Sequence, residues 1–259
     1  MIELDAASRA CWSANRYVAL RGALDPPERS ALRAWIDELE RWPETAGTWM
    51  KYYEPGEARL LCRVENFLPY HAELRRLLAR RDLLACLEEL LGEPAVLFKE
   101  KVNFKLPGGA GFAAHQDAPA FVSFGQTYHA TLMLSADAMT PENGCLEIVE
   151  GFDRMEALPQ AEDGTLRRDV VAGFEWRALP TEPGDVVLFD SYLPHRSGPN
   201  RSRAPRRALY VTYNRASEGD RRDEYFALKR RAFPPECERM PGAELDEASR
   251  VFNLGNPIR

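Results

Sequence analysis

At position 95 the hydrophobic pattern changes period, and that change limits the folds open to the chain. Upstream, apolar residues recur at helical spacing. Asp25 followed by Pro26 and Pro27 is a helix-start signal, and Leu32, Trp35, Ile36 and Leu39 then form an i, i+3, i+4, i+7 stripe that Pro43 closes. A second helical region is expected from about His71 to Leu91, with Leu74, Leu77, Leu78, Leu84, Leu87, Leu90 and Leu91 on its apolar face and Gly92 as its stop. From 95 to 106 the sequence AVLFKEKVNFKL alternates: Val96, Phe98, Val102 and Phe104 fall on one face of a strand, and Lys99, Lys101, Asn103 and Lys105 on the other. Further strands are expected at 128–136, 145–149, 185–190 and 207–213, separated by turn signals such as PGGAG, PENG and EPGD. Short strands with this punctuation make a sandwich or barrel rather than a parallel sheet. No strand runs into a Gly-rich helix start, so a dinucleotide site is not expected. The resulting expectation is a mainly β chain with flanking helices. It forms a single domain over 1–259, with a helical N-terminal part (1–94), a barrel core (95–215) and a C-terminal tail (216–259) packed over the barrel.

Composition excludes several partner classes. With 34 Lys and Arg against 40 Asp and Glu the formal charge is −6. The longest basic cluster, Arg201 to Arg207, is short and broken by Pro205, so nucleic acid is not an expected partner. No stretch approaches the roughly 18 apolar residues needed to span a bilayer, so no membrane partner is expected. The segment MIELDAASRA lacks the basic start and apolar run of a secretory signal. Five dispersed cysteines without a CxxC pair argue against a disulfide framework or a structural zinc site, and point to a reducing cytoplasm. Nothing in the sequence bears on oligomeric state.

There are only four histidines, which makes each informative. His115 and Asp117 stand at i and i+2, so on a strand both side chains point to one face and can share a metal ion. His195 follows the strand DVVLFD. Two imidazoles and one carboxylate form a facial set that leaves coordination positions open, as oxygen-activating Fe(II) requires. An isolated HxD is common and carries little weight alone. Arg206, eleven residues after His195 at the start of a strand, adds a guanidinium able to grip a carboxylate with two hydrogen bonds. Arg201, Arg203 and Arg207 are its neighbours, so a solvated basic loop is the competing interpretation.

Three segments, EKVNFKLPGGAGFAAHQD, ENGCLEIVEGFD and EPGDVVLFDSYLPHRSGPNRSRAPRRAL, occur in the order and spacing found in one family. On them the chain resembles the phytanoyl-CoA dioxygenase (PhyH-like) oxygenases over roughly residues 15–235. That resemblance implies a double-stranded β-helix, a jelly-roll, cupin-like barrel with the N-terminal helices packed outside. It implies Fe(II), 2-oxoglutarate as cosubstrate and O2, with His115, Asp117 and His195 as catalytic metal ligands and Arg206 on the distal carboxylate of 2-oxoglutarate. Asn103, Thr131 and Ser197 are the lesser candidate cosubstrate contacts. The family's usual Gly-Ser-His element reads Gly151-Phe152-Asp153 here, which removes no ligand. Retention of Asp117 favours hydroxylation over halogenation. Two other classes use a similar ligand set: a cupin-type metal enzyme without oxygen chemistry, which leaves Arg206 without a role, and a silent binding barrel, against which the intact triad and Arg206 count.

For the substrate, several lysines on one face of the 95–106 strand would suit a small anionic metabolite. FKEKVNFKLPGG, HQDAPAF and FPPECERMPG resemble the 2-aminoethylphosphonate dioxygenase-like branch of the family. The expected reaction is hydroxylation of a C–H bond in a phosphonate-like compound or biosynthetic intermediate, with release of succinate and CO2. Arg63, Lys105, Phe121 and His129 are candidate substrate contacts, each balanced by a structural alternative. Trp42, Trp49, Tyr52 and Tyr53 are candidates for a lid, and His71 for a structural residue at a helix start.

Overall fold

The computed structural model describes residues 2–240, 249 and 252–258. Helix α1 (Ala6–Asn15) leads into strand β1 (Tyr17–Leu20) and helix α2 (Pro26–Arg41). Strands β2 (Met50–Tyr53) and β3 (Leu61–Glu65), helices α3 (Ala72–Leu78) and α4 (Arg81–Leu91), and strands β4 (Ala95–Lys105), β5 (Phe112–His115), β6 (His129–Ser135) and β7 (Leu146–Val149) follow. The chain continues through the short helix α5 (Arg168–Val171), strands β8 (Trp176–Leu179), β9 (Val186–Asp190), β10 (His195–Ser197) and β11 (Arg206–Arg215), and helix α6 (Arg222–Ala232).

The strands form two antiparallel sheets, one of seven in the order β1-β9-β6-β11-β4-β3-β2 and one of four in the order β5-β10-β7-β8. Alternation assigns the two faces of the large sheet. Leu132, Leu134, Val186, Leu188, Leu209 and Val211 face outward onto the leucines of α2, α3 and α4. Met133, Val187, Phe189, Ala208 and Tyr210 face inward onto Leu146, Ile148 and Leu179 of the small sheet. This is the double-stranded β-helix, with the helices on one outer face. α2 begins as expected: Asp25 accepts from Glu28 N at 2.9 Å and the Glu28 carboxylate accepts from Asp25 N at 3.0 Å, a reciprocal cap.

Three expectations need correction. The first 94 residues are not simply helical, because β1, β2 and β3 supply three strands of the large sheet. These segments are only four or five residues long and buried on both faces, so no alternation marks them. The helix expected from His71 to Leu91 is two helices, broken where Arg80 turns extended (φ −59°, ψ 127°). The break resets the phase so that Leu83, Cys86, Leu87 and Leu91 are the buried set, leaving Leu84 and Leu90 at the margin. Finally, β4 carries a bulge. Thr212 pairs with Lys99 and Tyr213 with Leu97, so Phe98 has no partner and the parity of the strand reverses. Ala95 and Leu97 therefore join Val102 and Phe104 beneath the helices, while Phe98 turns inward with Phe121, Phe124 and Tyr225.

Candidate active site

β10 pairs with β5 so that His195 lies opposite His115, and their ring centroids are 4.2 Å apart. Each ring is oriented by a carbonyl two residues back. His115 Nδ1 stands 2.7 Å from Ala113 O, and His195 Nδ1 stands 3.0 Å from Leu193 O. Donation from Nδ1 to a carbonyl leaves each Nε2 lone pair for a metal. Asp117 completes the set, with one ligand atom from each residue within 4.8 Å of the others. The strand geometry expected for His115 and Asp117 does not hold. β5 ends at His115, and Asp117 is helical (φ −77°, ψ −31°) at the head of a turn over Ala118–Ala120. Two features aim it instead. Gln116 is fully buried, donates to Glu156 O and Tyr192 O, and accepts from Leu158 N at 2.8 Å. Ala118 N donates to Ser191 O at 2.8 Å, tying the Asp117 turn to the loop before His195. In that loop Asp190 accepts from Tyr192 N at 2.8 Å and Leu193 N at 3.0 Å.

The electrostatics suit a divalent cation. Burial, with His195 alongside, lowers His115 to about 3, and burial also lowers His195. Burial opposes ionisation of Asp117, but Lys99, His195 and Lys101 outweigh it and hold the carboxyl below its usual range. The site therefore offers two neutral imidazoles and a carboxylate, the protonation states a metal requires.

The ligands open on a narrow pocket whose walls include Lys101, Asn103, Thr131, Ser197, Tyr210 and Thr212. Thr131 and Thr212 share a hydrogen bond of 3.0 Å across β6 and β11. Tyr210 and Thr212 were not singled out from sequence, although two-residue steps from Arg206 along β11 reach both. Arg206 heads the same inward row and is 1% exposed, and its Nε and Nη2 meet no hydrogen-bond partner. The neighbouring arginines differ from it. Arg207 points outward to Asp137 at 2.7 Å and also to Asp37 and Glu40, while Arg201 and Arg203 are exposed. A buried guanidinium without an acceptor is costly unless an anion meets it, which fits the distal carboxylate of a dicarboxylate.

The remaining candidates separate. Lys105 is engaged by the surrounding loops: its side-chain nitrogen donates to Ser197 Oγ at 2.7 Å, Gly198 O at 2.5 Å and Gly144 O at 3.3 Å. Burial, then Arg206, lowers it to about 7. A side chain on Gly144 would put Cβ 2.1 Å from Gly198 O, so glycine is needed where these loops meet. Arg63 is 2% exposed and engaged with Asn103 Oδ1 at 3.4 Å, Glu65 at 3.0 Å and Asn256. Glu65 also receives Lys229 of α6. Of this buried network the sequence singled out only Arg63, whose structural alternative holds; Glu65, Lys229 and Asn256 carried no signal, because they come from distant segments. His129 bonds Gln126 Oε1 at 3.0 Å and packs on Phe98 and Phe121, and Phe121 is wholly buried. Of the four aromatics considered for a lid, Tyr52 is buried and donates to Phe233 O, and Trp42, Trp49 and Tyr53 pack against the helix-side core. None of them lines the cavity. His71 caps α3, accepting from Leu74 N at 3.2 Å.

A double-stranded β-helix with a His-Asp-His iron site defines the class as a non-haem Fe(II), 2-oxoglutarate-dependent dioxygenase. The chain belongs to the phytanoyl-CoA dioxygenase (PhyH) family, whose model matches residues 14–208. It is 51% identical over 251 residues, 96% of each chain, to 2-aminoethylphosphonate dioxygenase of uncultured bacterium HF130_AEPn_1. It is 42% identical over 224 residues, 86% of this chain and 85% of the relative, to methylphosphonate hydroxylase of Gimesia maris. The fold matches EctD from S. alaskensis, solved with 2-oxoglutarate and 5-hydroxyectoine, with a TM-score of 0.71 at 21% identity over 83% of this chain and 77% of that one. Its relatives are enzymes of small molecules. Among the described residues no helix is long and apolar enough to cross a membrane.

Proposed function

We propose that this enzyme hydroxylates a C–H bond of a small organophosphonate, and that Lys99 and Lys101 hold the phosphonate group. The observation that carries this reading is a pair of half-buried ammonium groups with no hydrogen-bond or ion-pair partner among the described residues. Lys99 Nζ lies 4.4 Å from the Phe121 ring centroid and 5.5 Å from that of Tyr225, and Lys101 Nζ lies 5.4 Å from that of Tyr210. Burial lowers both lysines, Lys101 further because Arg63 and Lys99 are close. Aromatic faces offset only part of the desolvation of an ammonium, and an arriving dianion restores the rest. The two relatives named for phosphonates support the same substrate class.

Iron, 2-oxoglutarate and O2 together supply the oxidising power for C–H hydroxylation, with succinate and CO2 as co-products. The chain's own groups bind and orient. His115, Asp117 and His195 hold the metal. Arg206 takes the distal carboxylate of 2-oxoglutarate, with the Ser197 hydroxyl, held by Lys105, beside it. Asn103, Thr131 and Thr212 line the floor. Lys101 lines the same pocket as His115, Asp117 and His195, so a phosphonate held there would bring the carbon bonded to phosphorus toward the metal. Five free cysteines suit a reducing cytoplasm.

The test is succinate release and phosphorus NMR after adding oxygen to enzyme, Fe(II) and 2-oxoglutarate with 2-aminoethylphosphonate, methylphosphonate or the carboxylate analogue of each. Coupled turnover with a phosphonate and not its carboxylate analogue is expected. Lys101→Met should raise KM for the phosphonate about 10- to 150-fold, the worth of a hydrogen bond to a charged group, and leave that for 2-oxoglutarate in place. Coupling to carboxylates alone, or a Lys101→Met enzyme with unchanged phosphonate KM, would sink the reading.

A further inference from the structure

Segment 252–258 lies against the back of the metal site. β5, which carries His115, is an edge strand of the small sheet. Its outer side is covered where Ala113 N donates to Gly255 O at 2.8 Å and Leu166 N donates to Ala114 O at 2.8 Å. Ala113 is the residue whose carbonyl orients His115. Gly255 also touches the imidazole through space: with φ +64°, a Cβ there would stand 2.7 Å from His115 Nδ1 and 2.7 Å from Ala113 O. One residue on, Asn256 Oδ1 accepts from Arg63, whose Nε reaches Asn103 in the cavity wall. Phe252, Leu254 and Ile258 seat the segment in the core beside Tyr225 and Phe233.

We propose that Gly255 is a positioning residue for the iron site: its carbonyl holds the Ala113 peptide, its missing side chain makes room for the His115 ring, and Asn256 anchors it through Arg63. The segment thus sets the direction of the His115 Nε2 lone pair and with it the affinity for metal. The proposal rests on the iron site and not on the phosphonate substrate.

The test uses Fe(II) alone, titrated anaerobically without 2-oxoglutarate by calorimetry, together with histidine ¹⁵N shifts of the metal-free protein. Gly255→Ala should weaken Fe(II) binding about 10- to 100-fold, the usual effect of disturbing a group that orients a metal ligand, and should move the His115 ring resonances while those of His129 stay in place. Asn256→Ala, which adds no bulk, should weaken Fe(II) about 2- to 10-fold, the worth of one hydrogen bond. It carries the test if Gly255→Ala does not fold. A wild-type protein that binds Fe(II) alongside folded variants with the same Kd and unmoved His115 resonances would overturn the positioning role alone. A wild-type protein that binds no Fe(II) would overturn the triad and the positioning role together.

Discussion

Replacing Arg206 by methionine should move stability and cosubstrate affinity in opposite directions. The guanidinium is 1% exposed and two of its nitrogens meet no acceptor. A buried donor left unsatisfied costs about 1–3 kcal/mol. Methionine has similar reach and no donors, so the cosubstrate-free variant should gain about that much, a rise in Tm of roughly 2–4 °C per kcal/mol for a chain of this size. Cosubstrate binding should suffer instead. Truncating one partner of a buried hydrogen-bonded charge pair costs about 2–5 kcal/mol, or about 30- to 4,000-fold in the Kd for 2-oxoglutarate. Anaerobic thermal scans of the metal-loaded protein with and without 2-oxoglutarate read both effects. At a concentration of about 100 Kd the wild type should be stabilised by about 2.7 kcal/mol, and Arg206→Met at the same concentration by no more than about 0.9 kcal/mol. A variant with a lower cosubstrate-free Tm, or with 2-oxoglutarate affinity within about fivefold of wild type, would refute the reasoning, because Arg206 would then have a protein partner.

Asp117→Ala should abolish substrate-coupled succinate release, since two neutral imidazoles do not replace the carboxylate; undiminished release would remove Asp117 from the ligand set. His129 is lowered by burial, then by Lys99, from 6.5 to about 3. The folded state refuses a proton that the unfolded chain accepts below 6.5, so the contribution is complete above 6.5 and is lost as pH falls toward 3. Between 6.5 and about 5 that loss is about 2 kcal/mol, and His129→Phe should flatten the pH dependence of the urea midpoint by that amount; an unchanged slope counts against a buried neutral His129. Asp25→Ala removes the reciprocal cap of α2 and should cost about 1 kcal/mol, read as a fall in Tm of about 2–4 °C; no fall would mean that packing alone holds the start of the helix.

Much of the chemistry was legible in the sequence because it depends on residue type and order. His115, Asp117, His195 and Arg206 come from segments with their own signals: a turn before a strand, a Pro-His loop after one, an arginine heading the next. The strands β6, β7, β9 and β11 were legible for the same reason, each being an apolar run bounded by turn residues. Position was less legible. Four arginines within seven residues are alike in sequence, and only the inward face of β11 separates Arg206 from Arg207, which the outer side binds to carboxylates. The pairing of His115 with Asp117 was anticipated for the wrong reason, since a strand end and a helical turn replace the continuous strand.

By itself the sequence supplied the candidate ligand set and a sandwich or barrel of short strands, because these follow from local pattern and donor chemistry; the double-stranded β-helix came from the family resemblance. Tertiary structure alone decided which lysines lack partners, that a bulge at Phe98 reverses β4, and that Gly255 meets His115 from 140 residues away. Those outcomes depend on which segments the two sheets bring together, and loop closure over such separations leaves no periodicity to read.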